Sequence, residues 1–118
     1  HINDKFGHDV GDQVIVHTAQ VCRDSIRDTD ILGRMGGEEF AIILPDKGIE
    51  DAKIIAERIR KIIEETSMKN DKLDFNFTAS IGISTLKAGE QDSLQKMLIR
   101  ADEKMYLAKN NGRNQVVF

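Results

Sequence analysis

The hydrophobic positions of this 118-residue chain recur with one spacing typical of helices and another typical of strands. Apolar residues at intervals of three and four predict amphipathic helices over residues 12–27, 50–65 and 93–109. In each helix these residues form one stripe, which we expect to face the core. The predicted core residues are Ile15, Ala19, Cys22 and Ile26 in the first helix; Ala52, Ile55, Ala56, Ile59, Ile62 and Ile63 in the second; and Leu94, Met97, Leu98, Ala101, Met105 and Ala108 in the third.

The ends of two predicted helices carry residues that satisfy free backbone groups. Asp12 is suited to cap the first helix, because its short acidic side chain accepts hydrogen bonds from first-turn amides. Asp92 and Gln95 resemble a capping box at the start of the third helix. Gly112 suits the C′ position that ends this helix, since glycine adopts the left-handed conformation readily.

Two short apolar runs predict a β-hairpin after the first helix. The runs, residues 31–35 and 40–44, flank the pair Gly36-Gly37, a sequence typical of two-residue turns. The two glutamates that follow this pair would therefore lie at the tip of the hairpin.

Three further segments complete the predicted order of elements. Residues 75–83 alternate between apolar and polar positions, which predicts a half-buried strand. The polar residues 66–74 predict a loop, and residues 116–118 predict a last short strand. The order is α-β-β-α-β-α-β, and one preceding strand would give it the ferredoxin-like unit at its start. We therefore expect an α+β fold, a ferredoxin-like (palm-type) antiparallel sheet flanked by helices, in a single domain over residues 1–118.

Composition and charge narrow the classes of function. Seventeen basic and 20 acidic side chains give a formal net charge of −3, which argues against a general affinity for nucleic acid. The single cysteine, Cys22, excludes an internal disulfide and favours a reducing, cytoplasmic compartment. Apolar runs stay below the ~18 residues of a membrane span, so we expect no membrane contact by this domain. An anionic ligand would need a metal ion or a local cluster of cations.

The hairpin tip, GGEEF over residues 36–40, is the first candidate for chemistry. Without a Cβ, Gly36 and Gly37 would let a large ligand approach the backbone closely. The carboxylates of Glu38 and Glu39 beside such a surface suit a hard cation such as Mg²⁺ that carries a phosphate chain. A turn with two solvated glutamates fits the same pattern, and the residues alone leave both readings open.

Three other motifs also have two interpretations. Lys109 and Arg113, four residues apart, would suit a phosphate clamp or would simply offset a helix dipole. In the loop over residues 2–12, Asn3 and Asp12 offer the donors and acceptors that read a guanine edge, although a turn and a cap use the same residues. His8 in that loop fits a solvated side chain. The R-x-x-D motif, whose residues are Arg27 and Asp30, has little specificity by itself.

Taken in order, these motifs resemble the GGDEF-domain diguanylate cyclases. The matching segments are IND-x-F-GHDVGD, R-x-x-D, GGEEF, TASIGIS and RADEKMYLAKNNGRN, and together they span nearly the whole chain. GGEEF is an accepted variant of the family signature, with Glu38 where the family has Asp or Glu.

The resemblance implies an enzyme that condenses two GTP molecules to cyclic di-GMP and two pyrophosphates. Glu38 would hold Mg²⁺ (or Mn²⁺) and accept the proton of the 3′-hydroxyl, and Glu39 would help to bind the metal or to stabilise the transition state. The family's other roles fall on residues that the motifs already contain. Asn3 and Asp12 would read guanine with His8 at the substrate site, Gly36 and Gly37 would make room for the nucleotide, Lys109 and Arg113 would hold the phosphates, and Arg27 and Asp30 would form an inhibitory product site.

The resemblance also implies partners. Each chain would hold one GTP, so catalysis would need a two-fold homodimer, controlled by sensory or regulatory domains in the parent protein. The family begins with a strand carrying D-x-D-x-F-K, and this chain starts at His1, after that position. We therefore expect an N-terminally truncated domain whose parent is the enzyme. The alternatives are a catalytically silent module that binds GTP or cyclic di-GMP, and a ferredoxin-like interaction domain.

Overall fold

The computed structural model describes residues 8–36, 39–66, 68–70, 73–75, 77–86 and 91–118. In these ranges the helices are α1 (His8–Ser25), α2 (Ile49–Glu65) and α3 (Leu94–Asn110). The strands are β1 (Ile31–Gly36), β2 (Glu39–Ile43), β3 (Met68–Asn70), β4 (Leu73–Phe75), β5 (Ile81–Gly82) and β6 (Val116–Val117).

Helix α1 begins four residues earlier than the sequence predicts. Asp12 therefore lies inside the helix, and the prediction that it caps the first turn is wrong. The buried face is also rotated, because Val14 and Val21 are buried with Cys22, whereas Ile15 and Ala19 are half-buried. Burial raises the pKa of the Cys22 thiol to about 11, as expected for a core side chain that stays protonated.

Helix α2 supplies the centre of the core. Its residues Ile55, Ile59 and Ile63 form one cluster with Val21 and Cys22 of α1, and this confirms most of the predicted stripe. Ile62 was also predicted to be buried, but its exposed fraction is 39%. It lies one residue before the fully buried Ile63, and at 3.6 residues per turn two neighbouring positions do not share the centre of one face.

Helix α3 starts with a different cap from the predicted one. The Ser93 hydroxyl accepts a hydrogen bond from the Lys96 amide at 3.1 Å, so Ser93 is the N-cap and the capping box of Asp92 and Gln95 is wrong. Asp92 instead accepts hydrogen bonds from the Arg100 guanidinium at 2.7 and 2.9 Å.

The rest of α3 agrees better with its predicted face. Met97, Leu98, Ala101 and Met105 are half-buried and Ala108 is fully buried, but Leu94 is 50% exposed, contrary to the prediction. Leu94 is the first residue of the helix, where the chain has only begun to approach the sheet. The prediction that Gly112 ends α3 at the C′ position is confirmed. Gly112 has a φ of +108°, and the Arg113 amide donates to the Ala108 carbonyl at 2.9 Å.

Strands β1 and β2 form the predicted antiparallel hairpin with a shifted turn. Arg34 pairs with Phe40 and Gly36 pairs with Glu39, so Met35 is an extra residue in β1, which makes a β-bulge. Gly36 therefore ends β1 and does not belong to the turn, so the predicted Gly36-Gly37 turn is wrong. No sequence signal indicated the bulge, which lies where β1 continues one residue beyond its predicted end at Met35.

Two other predictions for the sheet are wrong. The predicted loop over residues 66–74 contains β3 and most of β4, which pair antiparallel. Among the described residues of the predicted strand over 75–83, only Phe75, at the end of β4, and Ile81–Gly82 are in strands. β5 pairs with β6 in parallel, through Ile81 with Val116 and Gly82 with Val117. The alternation nevertheless predicted burial correctly, because Phe77, Ala79 and Ile81 pack against the core cluster.

The core therefore lies between α1, α2 and the inner faces of the strands. Leu32 and Ile42 face each other across the hairpin and pack against the same cluster as Ile81. Among the helices that the structure describes, none is both long and apolar enough to cross a membrane.

Candidate functional site

The open end of the β1–β2 hairpin presents a carboxylate beside a bare backbone. Glu39 is exposed and lies opposite Gly36 in the register. Gly36 has a φ of +148°, which favours glycine, and a Cβ built there would meet no atom within 4 Å. This leaves space for a ligand next to Glu39. The other two predicted residues of the tip, Gly37 and Glu38, lie outside the described residues.

A hard divalent cation fits the donors at this hairpin end. Over the described ranges, no group of three or more His, Cys, Asp or Glu side chains is gathered into a metal cage. Mg²⁺ seldom uses such a cage, since it is commonly held by one or two carboxylates together with substrate phosphates and water. An exposed glutamate beside open space is therefore the kind of donor that such an ion shares with a bound nucleotide.

The predicted phosphate clamp lies at the C-terminal end of α3. Lys109 is in the last helical turn and Arg113 follows the helix, exposed and with a left-handed φ of 63°. Within the described residues, neither the Lys109 ammonium nor the Arg113 guanidinium has an ion-pair partner. Both cations are therefore available to an anionic ligand, although they also favour a helix C-terminus.

The predicted guanine-reading residues lie at the start of α1 or before it. His8 is the first residue of the helix, and Asp12 lies four residues later in it. Asp12 is exposed at this position, which leaves its carboxylate accessible to a ligand. Asn3 lies outside the described residues.

The R-x-x-D pair forms a structured turn between α1 and β1. The Asp30 carboxylate is buried and accepts the Arg27 amide at 2.8 Å and the Arg27 Nη2 at 3.2 Å. These hydrogen bonds, with that of the side chain acting most strongly, hold the pKa of Asp30 below its usual value. Arg27 is half-exposed, so its guanidinium is bound on one side and accessible on the other.

Sequence reasoning missed one partner of this pair. Arg27 Nη2 also donates to the carbonyl oxygen of Pro45, just after β2, at 3.0 Å. The contact joins the R-x-x-D turn to the strand that begins at Glu39. A main-chain acceptor 18 residues away carries no side-chain signal, so no pattern in the sequence could have indicated it.

Of the predicted site residues, the structure brings Arg27 and Asp30 into direct contact and places Gly36 opposite Glu39 in the hairpin. Asp12 lies in α1, and Lys109 and Arg113 lie at the C-terminal end of α3. No hydrogen bond or ion pair joins one of these groups to another in the part of the chain that the structure describes.

Comparison with known proteins identifies the fold and the family. The family model for the diguanylate cyclase GGDEF domain matches residues 1–115. The response regulator PleD of Caulobacter vibrioides is 45% identical over 118 residues, a match that covers 98% of this chain and 26% of PleD. The chain spans between about a sixth and a third of the length of the curated relatives compared with it.

Solved structures agree with this match. The GGDEF domain of DgcB from Caulobacter crescentus, in complex with c-di-GMP, has a TM-score of 0.91 at 34% identity and covers 98% of this chain and 68% of that one. The active GGEEF domain of a diguanylate cyclase from Vibrio cholerae has a TM-score of 0.82 at 37% identity and covers 98% and 72%. The chain therefore belongs to the diguanylate cyclase GGDEF domain family, and the predicted ferredoxin-like α+β fold class is confirmed.

Proposed function

We propose that this domain is a diguanylate cyclase that condenses two GTP molecules to cyclic di-GMP and two pyrophosphates. The observation that carries the proposal is the hairpin register, in which Glu39 lies opposite Gly36 beside open space. The end of this hairpin carries the sequence GGEEF, and the chain belongs to the GGDEF family. Such an end suits a metal-bound triphosphate, because phosphoryl transfer needs mainly positioning and neutralisation of charge.

The two glutamates have different roles in the proposed reaction. Glu38 accepts the proton from the 3′-hydroxyl of the bound GTP, which then attacks the α-phosphorus of the GTP on the facing chain. Glu38 and Glu39 together would hold Mg²⁺ or Mn²⁺, which would neutralise charge on the phosphates. Gly36, where a built Cβ meets no atom within 4 Å, leaves room for the nucleotide. Gly37 would do the same, because glycine has no Cβ.

The remaining residues bind the guanine base and the phosphates of GTP. Asn3 and Asp12 hydrogen-bond the guanine edge, with His8 at the substrate site. Lys109 and Arg113 hold the phosphates, and the absence of ion-pair partners for these two cations in the described residues supports that role.

The reaction requires two chains and is regulated by its product. Each chain binds one GTP, so two copies face each other as a two-fold homodimer. Cyclic di-GMP binds back to Arg27 and Asp30, where one face of the guanidinium is exposed. We place the domain in the cytoplasm, under the control of sensory or regulatory domains in the parent protein.

The test is formation of cyclic di-GMP from GTP and Mg²⁺ by the intact protein and its variants. Glu38→Gln should abolish product formation, whereas Glu65→Gln, at an exposed site at the end of α2, should leave it unchanged. Equal activity of Glu38→Gln and the unchanged protein would contradict the proposed role of Glu38. Saturable GTP binding without product in the unchanged protein would favour a silent nucleotide-binding module.

A further inference from the structure

The segment that carries Arg113 has an unusual backbone. Arg113 and Asn114 are consecutive non-glycine residues with φ angles of 63° and 50°. The left-handed region costs L-residues free energy, although asparagine tolerates it better than most. Such a conformation persists only where the surrounding structure specifies it, so the contacts of this segment determine where Arg113 points.

Asn114 is anchored at three of its polar groups. Its side-chain Oδ1 accepts a hydrogen bond from Arg60 Nη1 at 2.9 Å, and its Nδ2 donates to the Glu64 carboxylate. Its backbone amide donates to the Ser80 hydroxyl at 3.2 Å. Both side-chain partners belong to α2, 54 and 50 residues earlier in the chain, so α2 holds the turn that follows α3.

The Arg60 side chain is itself held in place. It is 13% exposed, and its Nε donates to the Glu57 carboxylate at 3.0 and 3.1 Å. A second carboxylate, that of Glu64, lies 3.5 Å from Arg60 Nη1. Arg60, Glu64 and Asn114 therefore form a closed triangle of polar contacts, in which the amide of Asn114 has its oxygen toward the cation and its nitrogen toward the anion.

We propose that Arg60 and Glu64 are positioning residues that act through Asn114 to aim Arg113 at the phosphates of the nucleotide. This inference rests on the proposed function, because it takes Arg113 as a phosphate ligand. The triangle acts on Asn114, the chain neighbour of Arg113, so the proposal requires no contact between α2 and the nucleotide itself. Without it the left-handed turn would relax, and Arg113 would lose its direction while keeping its charge.

The first test measures kcat and KM for GTP in the intact protein. Arg60→Met keeps much of the side-chain volume and removes the guanidinium, so we expect KM to rise by about tenfold, the effect of losing one charge-assisted hydrogen bond, with kcat nearly unchanged. The matched control is Lys61→Met, which removes a cation from the neighbouring, exposed position of α2 and leaves the contacts of Arg60 with Glu57 and Asn114 in place. It should keep the original KM.

A double mutant separates positioning from general stability. If Arg60 acts through Arg113, Arg60→Met should raise KM no further in an Arg113→Ala background. Independent, additive effects of the two substitutions would overturn the proposal. Asn114→Gly serves as the second variant, because glycine accepts the left-handed conformation without strain and loses both side-chain anchors. It should raise KM as Arg60→Met does.

Nucleotide binding distinguishes this proposal from the proposed function. The affinity for a GTP analogue that cannot condense is measured by calorimetry for the unchanged protein and the same variants. Binding of the analogue by the unchanged protein, together with no product from GTP and Mg²⁺, would overturn catalysis, and the variant affinities would still decide the role of Arg60. Equal affinity of Arg60→Met and the unchanged protein would overturn the positioning role, and no binding by the unchanged protein would overturn both.

Discussion

Gly82 in β5 lies against the backbone of α3. A Cβ built on this residue would collide with the Ala101 carbonyl oxygen and the Met105 amide nitrogen, and backbone atoms cannot yield as a flexible side chain does. We expect Gly82→Ala to lower the free energy of unfolding by about 1–3 kcal/mol, because α3 must move away from the sheet. Chemical denaturation of the intact protein measures the loss.

Gly33 provides the matched control for this substitution. It also lies in a strand, but a Cβ built there meets no atom within 4 Å. Gly33→Ala should therefore leave stability unchanged or raise it slightly, since alanine has less freedom in the unfolded chain. Similar losses in both variants would show that the close approach of α3 is not the cause.

Asp30 makes stability depend on pH through its depressed pKa. In the unfolded chain the pKa of an aspartate is about 3.9, whereas the hydrogen bonds from Arg27 lower it in the folded protein. Between these two pKa values the unfolded state binds more protons than the folded state. The contribution of Asp30 to the free energy of unfolding is therefore complete above the pKa of the unfolded state, and it is lost as pH falls through the pKa of the folded state. Denaturant midpoints between neutral and acid pH measure this loss.

Asp30→Asn is the comparison for the pH experiment. Asparagine cannot take up the proton, so the variant should be less stable near neutral pH and should lose less stability on acidification than the unchanged protein. Parallel pH profiles for the two proteins would mean that the Arg27–Asp30 pair contributes nothing to acid sensitivity.

At the scale of elements, the N-terminus of α3 depends on one hydroxyl. Ser93 accepts from the Lys96 amide, which is otherwise free at the first turn. Ser93→Ala should lower the free energy of unfolding by about 1 kcal/mol, and Ser93→Asp should restore most of it, because aspartate caps equally well. A loss that Ser93→Asp does not restore would assign the effect to something other than capping. Thermal melts of the three proteins make this comparison.

The same helix illustrates what sequence reasoning predicts at this scale. Periodicity located all of α2 and α3 to within one residue, because an apolar stripe is a property of the helix alone. Asp92 and Ser93 both have side chains that can cap a helix. Which of them caps α3 depends on Arg100, which binds the Asp92 carboxylate from eight residues further along the chain. Strand limits depend even more on distant residues, since β5 extends only as far as β6 offers a partner.

For the candidate site, too, the sequence predicts some features and leaves others out. Its residue types and their order are visible in the sequence, so the motifs pointed to Glu39, Lys109 and Arg113 without any coordinates. The supports of the site are not visible there, because the carbonyl of Pro45 meets Arg27 and the side chain of Arg60 meets Asn114 only after the chain folds. Contacts over 18 and 54 residues leave no local pattern.

At the scale of the whole molecule, the proposed reaction needs two competent chains. Each chain activates its own GTP, so a dimer with one Glu38→Gln chain forms no second phosphodiester bond and releases no cyclic di-GMP. At constant total protein, mixing equal amounts of the two forms should reduce the rate to roughly a quarter, since only one in four random dimers has two competent chains. When both chains are co-expressed, so that they pair at random, a fall to one half would instead mean that a single chain completes the reaction. Co-expression with Glu65→Gln, which should be fully active, controls for the effect of mixing two forms and should leave the rate unchanged.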